Sequence, residues 1–175
     1  TIVFATNLEA PGGHGFSAGR CDSNGVFDSN WGTSGFAKSV TGKGIDWIYD
    51  LAVDPENRII ATGQSYDGAN ANALIARFTP DGRPDSTFGT MGSSTISMVG
   101  ANVRGNRLAL QPDGKYVVVG ERIEGNKFSI AAMRFNADGT MDNSFGNSGV
   151  VITEYGNDDD GAFGVSVQSD GKIVA

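Results

Sequence analysis

The sequence predicts an all-β fold assembled from tandem four-stranded units. Three observations carry this. The first is a repeat at steps of 57 residues without insertion: Asn24-Gly25, Asp81-Gly82 and Asp138-Gly139 fall in one column, as do Arg20, Arg77 and Arg134, and Asp28, Asp85 and Asp142. Trp31-Gly32, Phe88-Gly89 and Phe145-Gly146 keep the same step, and so do Gly35, Gly92 and Gly149. The second is glycine: 26 of 175 residues, about twice the usual share, placed as punctuation between apolar runs. The third is that no stretch carries apolar residues at i, i+3, i+4 and i+7 over three turns, which is what an amphipathic helix would show.

Each unit divides into four short strands. The first lies near 48–53, 107–111 and 164–168, where apolar residues alternate: Leu51 and Val53, Leu108 and Leu110, Val165 and Val167. A turn follows at Asp54-Pro55-Glu56-Asn57, Gln111-Pro112-Asp113-Gly114 and Gln168-Ser169-Asp170-Gly171. Its Asp-Gly or Glu-Asn pair suits a tight hairpin with both central residues at positive φ. The second strand, 58–63 and 115–120, is a continuous β-branched run (Ile59-Ile60, Tyr116-Val117-Val118-Val119), the pattern of a strand buried on both faces. The third spans 73–78 and 129–135, and the fourth lies near 94–98 and 150–154. Four strands in a unit of this length predict a β-propeller of four-stranded antiparallel blades, here a partial ring of about three. A β-solenoid is the alternative, but its coils are usually much shorter. The blades divide the chain as 1–45 (partial), 46–102, 103–159 and 160–175 (the start of the next).

These residues resemble the delta-60 repeat family, a bacterial β-propeller-like repeat. The resemblance rests on Gln111-Pro112-Asp113-Gly114-Lys115, Val117-Val118-Val119-Gly120, Arg134-Phe135, and Asp138-Gly139 through Asp142, Phe145-Gly146 and Gly149. The preceding unit matches with Arg77-Phe78, Asp81-Gly82, Asp85, Phe88-Gly89 and Gly92. The first unit departs, with Asn24 for Asp, Trp31 for Phe and Cys21 for the aromatic. The resemblance implies a secreted or cell-surface location and supplies no reaction and no catalytic residues.

Thr1–Phe4 occupies the same repeat positions as Lys172–Ala175, so both ends fall within the second strand of a blade. Three blades do not readily close a ring. The expectation is a segment of a longer propeller, or else two copies closing one ring. Net charge is −7, from 13 Lys and Arg against 20 Asp and Glu. Nucleic acid and anionic membranes, which need basic patches, are therefore not expected partners. No apolar run approaches the roughly 20 residues of a spanning helix, so no membrane insertion is expected either.

Repetition sorts the candidate residues. A catalytic group is needed once, so the pairs Arg77–Asp85 and Arg134–Asp142, eight residues apart around a turn, are read as ion pairs pinning that turn. Cys21, the single cysteine, aligns with Phe78 and Phe135 and reads as a small apolar core residue. His14, the single histidine, reads as a surface or strand-end residue. One His and one Cys do not make a Cys-His zinc site. Asn157-Asp158-Asp159-Asp160-Gly161 is an acidic cluster that the equivalent stretches Lys43–Trp47 and Gly100–Arg104 do not carry. Asp158, Asp159 and Asp160 form a candidate Ca2+ site, weighed against a solvated acidic loop; the spacing fails the EF-hand pattern. Trp47, aligned with Arg104 and Gly161, and Tyr66, in a Gly/Asn-rich loop, are candidate contact residues for a protein or glycan. Trp31 aligns with Phe88 and Phe145 and is a core residue.

The functional expectation is a noncatalytic binding or scaffold module of a bacterial surface repeat protein. The alternatives are part of a propeller enzyme whose site lies in other blades, and a structural spacer in a surface fibre. A spacer predicts uniform loops, whereas 41–49, 98–106 and 155–163 differ strongly.

Overall fold

The computed structural model describes residues 2–10, 13–39, 45–155 and 159–175. These residues form thirteen β-strands and no helix. Two complete antiparallel meanders dominate. One is β4 (Ile45–Val53), β5 (Ile59–Tyr66), β6 (Ala71–Phe78) and β7 (Ser93–Ile96); the other is β8 (Asn102–Leu110), β9 (Tyr116–Glu124), β10 (Lys127–Phe135) and β11 (Val150–Thr153). Before them stand β1 (Ile2–Ala10), β2 (Gly13–Cys21) and β3 (Phe36–Ser39), the second to fourth strands of a unit. After them come β12 (Ser166–Val167) and β13 (Ile173–Val174), the first two strands of another. A single parallel bridge, His14 to Ile45, links β2 to β4.

The sheets stack face to face as blades. The continuous apolar runs follow from this, because a middle strand meets a neighbouring blade on each side. β6 is buried along its whole length, and Tyr116 through Val119 are all nearly inaccessible. Alternate residues then sort to opposite interfaces. Ile59 and Ala61 join Phe16, Ala18 and Trp31 of the first blade, while Ile60 joins Val103, Tyr116 and Met133 of the third. Edge-to-face ring pairs cross these two interfaces, Phe16 with Phe78 at 5.7 Å and Phe88 with Tyr116 at 5.8 Å between centroids. Val117 and Val119 face the last segment through Ala162.

Two sequence expectations need correction. The short turns are not tight hairpins with two residues at positive φ. In 54–58 the Asp54 amide donates to the Arg58 carbonyl and the Asn57 amide to the Asp54 carbonyl, with only Asn57 at positive φ (60°). The turn 111–115 repeats this with Gly114 at 82°. This is a three-residue loop closing on a left-handed residue, so one glycine or asparagine suffices. Cys21, expected in the core, is only half-buried. Its column faces the preceding blade: Phe78 packs on the first blade and Phe135 on the second. No blade lies on that side of β2 among the described residues.

A feature the sequence hides explains the glycine in the interior of each second strand, Gly63 in β5 and Gly120 in β9, where the sequence predicts the strand's end. The first strands β4 and β8 carry a bulge, at Tyr49 between Ile48 and Asp50 and at Asn106 between Gly105 and Arg107. There the first strand presses onto its neighbour. A Cβ on Gly63 would lie 1.8 Å from the Trp47 carbonyl oxygen, and one on Gly120 would lie 2.1 Å from that of Arg104.

Candidate functional site

The antiparallel meander separates two rims. One rim carries the turns between first and second strands and the long connections between third and fourth. The repeated motif columns from Arg77 to Gly92, and from Gln111 to Lys115, lie there. The other rim carries connections that differ from blade to blade. β5 and β6 are joined by Asp67-Gly68-Ala69-Asn70, whereas β9 and β10 are joined by Gly125-Asn126 alone.

On the motif rim the predicted ion pairs form. Arg77 Nε donates to Asp85 Oδ2 at 2.7 Å, its Nη2 donates to the Thr87 hydroxyl at 3.0 Å, and its guanidinium lies 4.7 Å from the Phe88 ring centroid. Arg134 repeats the arrangement with Asp142 at 2.7 Å, Ser144 at 3.3 Å and Phe145 at 4.6 Å. The first unit does the same with Arg20, Asp28 and Trp31. The group also crosses blades. Arg77 Nη1 donates to the Ala137 carbonyl, and the Gly89 amide donates to the Asp138 carbonyl at 2.7 Å. Equivalent bonds run from Arg20 to Pro80 and from Gly32 to Asp81.

Burial alone would raise the Asp85 carboxyl. The Thr87 hydroxyl, the Thr87 amide and Arg77 outweigh it and hold the group below its ordinary value. Asp142 is held far down, first by the Ser144 hydroxyl and then by Lys115, whose Nζ is 3.0 Å away. The Arg–Asp pair and the ring beneath the guanidinium recur in three columns, each engaged within its own turn.

The other rim and the first strands carry residues that do not recur. Trp47 and Tyr66 are about two-fifths exposed. Register pairs Trp47 with Gln64 and Ile45 with Tyr66, so the two rings are diagonal neighbours on one face of β4–β5. The Tyr66 hydroxyl donates to the Gly68 carbonyl at 3.2 Å. The loop beside it is fixed by Asp67, which accepts from the amides of Asn70 and Ala69 and from the Asn72 side chain. Those three donors pull its carboxyl down to about 2. Gln64, opposite Trp47, has its Oε1 buried without a hydrogen-bond partner among the described residues.

Sequence reasoning missed a second feature, a cleft of about 360 Å³ lined by Tyr49, Arg104, Asn106, Arg107, Glu121 and Phe163. Glu121 is buried, with Arg104 Nη1 at 3.7 Å and Asn106 Nδ2 at 3.4 Å. Arg107 Nη1 donates to the carbonyls of Asn106 at 2.6 Å and Tyr49 at 3.4 Å. Burial pushes the Tyr49 phenol up; Arg104 opposes this and Glu121 adds to it. The signal was present in the column 49, 106, 163, which holds Tyr, Asn and Phe, but without the bulge nothing marked it as facing a cleft.

Of the acidic cluster, Asn157 and Asp158 lie outside the described residues. Asp159 is exposed, and Asp160 accepts from the Tyr155 amide at 2.7 Å. Among the described residues no three His, Cys, Asp or Glu side chains group as metal ligands. The His14 side chain also lies outside them; its backbone sits near the start of β2, opposite Glu9. No helix among the described residues is long and apolar enough to cross a membrane.

Two stretches, residues 55–88 and 111–145, match the family model described as domain of unknown function (DUF5122) beta-propeller. Each begins at a first-to-second-strand turn and ends at the Phe of a Phe-Gly pair. The repeat is a β-propeller repeat. No curated protein matches the chain.

Proposed function

We propose that the chain is a noncatalytic binding module of a bacterial surface protein of the delta-60 kind, contacting a protein or glycan through its non-repeating rim and first strands. The observation that supports this is the division between the rims. The recurring Arg, Asp and aromatic residues are engaged with one another and with the next blade, while the exposed rings of Trp47, Tyr66, Tyr155 and Phe163 lie where the blades differ. Propeller loops set on a rigid scaffold are suited to recognition. Aromatic rings such as Trp47 and Tyr66 offer apolar area with a polar edge. Further blades, from the same chain or a second copy, would complete the flanks.

The test compares three forms of the chain on a panel of bacterial surface polysaccharides and peptides: the natural sequence, Trp47→Ala with Tyr66→Ala, and Arg83→Ala on the motif rim. The reading expects binding that weakens at least tenfold (about 1.4 kcal/mol) in the double variant and not in Arg83→Ala. Loss in Arg83→Ala alone would place recognition on the opposite rim and sink the reading.

A further inference from the structure

We infer that the cleft between β4, β8 and the segment before β12 is a subsite for a carboxylate-bearing sugar, with Arg107 taking the carboxylate and Tyr49 and Phe163 flanking the sugar ring. This rests on the binding-module reading and names a ligand class for a place that reading leaves open.

The charge pattern comes first. Of the eight arginines in the chain, seven have a carboxylate within ion-pair distance. Arg107 has none among the described residues. Its Nη1 is spent on the two carbonyls of Asn106 and Tyr49, which fix the guanidinium and leave its other nitrogens to a ligand. In a chain of net charge −7, an anchored guanidinium in a cleft with no carboxylate at ion-pair distance is a place where an anion is little opposed. Arg104 is already matched by Glu121 at 3.7 Å. Among the residues lining the cleft, Arg104, Arg107 and Glu121 therefore leave about one unbalanced positive charge, with Asp50 outside the lining and turned to the Leu108 amide. That matches a carboxylate and falls short of a phosphate dianion, which would add negative charge beside buried Glu121.

The shape comes second. Tyr49 and Phe163 are 39% and 65% exposed at the cleft. Rings of this kind offer a flat apolar face to the C–H face of a pyranose. The Tyr49 phenol, raised by burial, stays a neutral donor. Gly161 keeps one wall open, since a Cβ there would lie 2.9 Å from both Glu121 Oε1 and Phe163 Cε2. The volume lies within the range of small-molecule sites. The columns argue against a purely structural origin: Arg107 aligns with Asp50 and Gly164, and Arg104 with Trp47 and Gly161.

The experiment titrates the 175-residue chain with oligogalacturonate, its methyl ester, sodium acetate and an Asp-rich peptide, followed by calorimetry. Oligogalacturonate should saturate one site, with the ester at least tenfold weaker and acetate and peptide not saturating. Arg107→Gln should bring the acid to the level of the ester, Arg107→Lys should recover part of the preference, and exposed Phe163→Ala should weaken acid and ester alike. Equal binding of acid and ester, an unaltered preference in Arg107→Gln, or peptide binding as tight as oligogalacturonate would overturn the assignment. If uronate fails while binding that depends on Trp47 and Tyr66 persists, this inference falls alone. If neither place binds anything on the panel, the binding-module reading falls with it.

Discussion

Arg77 Nη1 donates to the carbonyl of Ala137, 60 residues along the chain and one blade away, at 2.5 Å. Arg20 makes the same bond to Pro80 at 3.3 Å, again 60 residues on. The repeated arginine therefore does two things at once. It closes its own turn through the aspartate eight residues later, and it fastens that turn to the next blade. Arg134 makes the first kind of contact and, among the described residues, not the second. Its side chain is 19% exposed, against 4% for Arg77.

This asymmetry predicts unequal costs. Arg77→Ala leaves Asp85 without its charge partner in a nearly dry setting and frees a carbonyl of the next blade. A loss of about 3–5 kcal/mol is expected for breaking such a pair. In the 175-residue chain Arg134→Ala should cost less, by about 1 kcal/mol or more, since the inter-blade acceptor 60 residues on falls past residue 175. Asp85→Ala should also lower the melting temperature. Urea denaturation of the three variants decides this; an unchanged midpoint for Asp85→Ala would remove the ion pair from the account.

The close approach of β4 to β5 predicts that Gly63→Ala is destabilising by about 1–3 kcal/mol or more, since the new methyl meets a backbone carbonyl that cannot move aside. Gly164→Ala is the control. No atom lies within 4 Å of its added Cβ, and thermal melting should shift by no more than a degree or two. Equal shifts for the two variants would mean that the bulge yields easily.

The legible part of the fold was the part set by period and turn chemistry. A strand buried on both faces reads as a continuous apolar run, which marks β5 and β9, and the recurrence of Arg and Asp eight residues apart marks the ion pairs. The bond from Arg77 to Ala137 was not legible, because a carbonyl acceptor leaves no trace in residue identity. The bulges at Tyr49 and Asn106 were hidden for a related reason: a bulge is a register event, and its one sequence mark, Gly63 or Gly120, also fits an ordinary strand end. Trp47 and Tyr66 were picked out because they break the repeat. Arg107 breaks it too, but its lack of a carboxylate partner is a three-dimensional fact.

The carboxylates of the motif rim predict acid sensitivity. Asp142 is held below its ordinary value of 3.8 by Ser144 and Lys115, Asp28 by Arg20, and Asp85 by Thr87 and Arg77 against the opposing effect of burial. A carboxyl with a depressed folded-state value binds fewer protons folded than unfolded just below pH 4. Its contribution is present above the unfolded value and is lost as pH falls through the folded one. Melting temperature should therefore be insensitive to these groups between pH 5 and 8 and fall steeply below about pH 4. Asp142→Asn should melt lower at pH 7 and show a shallower acid decline. A natural chain and variant with parallel profiles down to pH 2.5 would assign the acid transition elsewhere.

Trp31 tests how far the motif columns are interchangeable. It is 3% exposed and stands where the other blades have Phe88 and Phe145. Its indole Nε1 donates to the Pro80 carbonyl at 2.9 Å, the same carbonyl that Arg20 reaches. Trp31→Phe removes one hydrogen bond and some apolar volume but keeps a ring beneath the Arg20 guanidinium, and Pro80 keeps a donor. The expected cost is about 0.5–1.5 kcal/mol, well below that of Trp31→Ala, which empties the site and should cost about 3–5 kcal/mol. Chemical denaturation separates the two. If Trp31→Phe proved as damaging as Trp31→Ala, the first joint would depend on the indole itself, and the equivalence of the three columns would fail at this position.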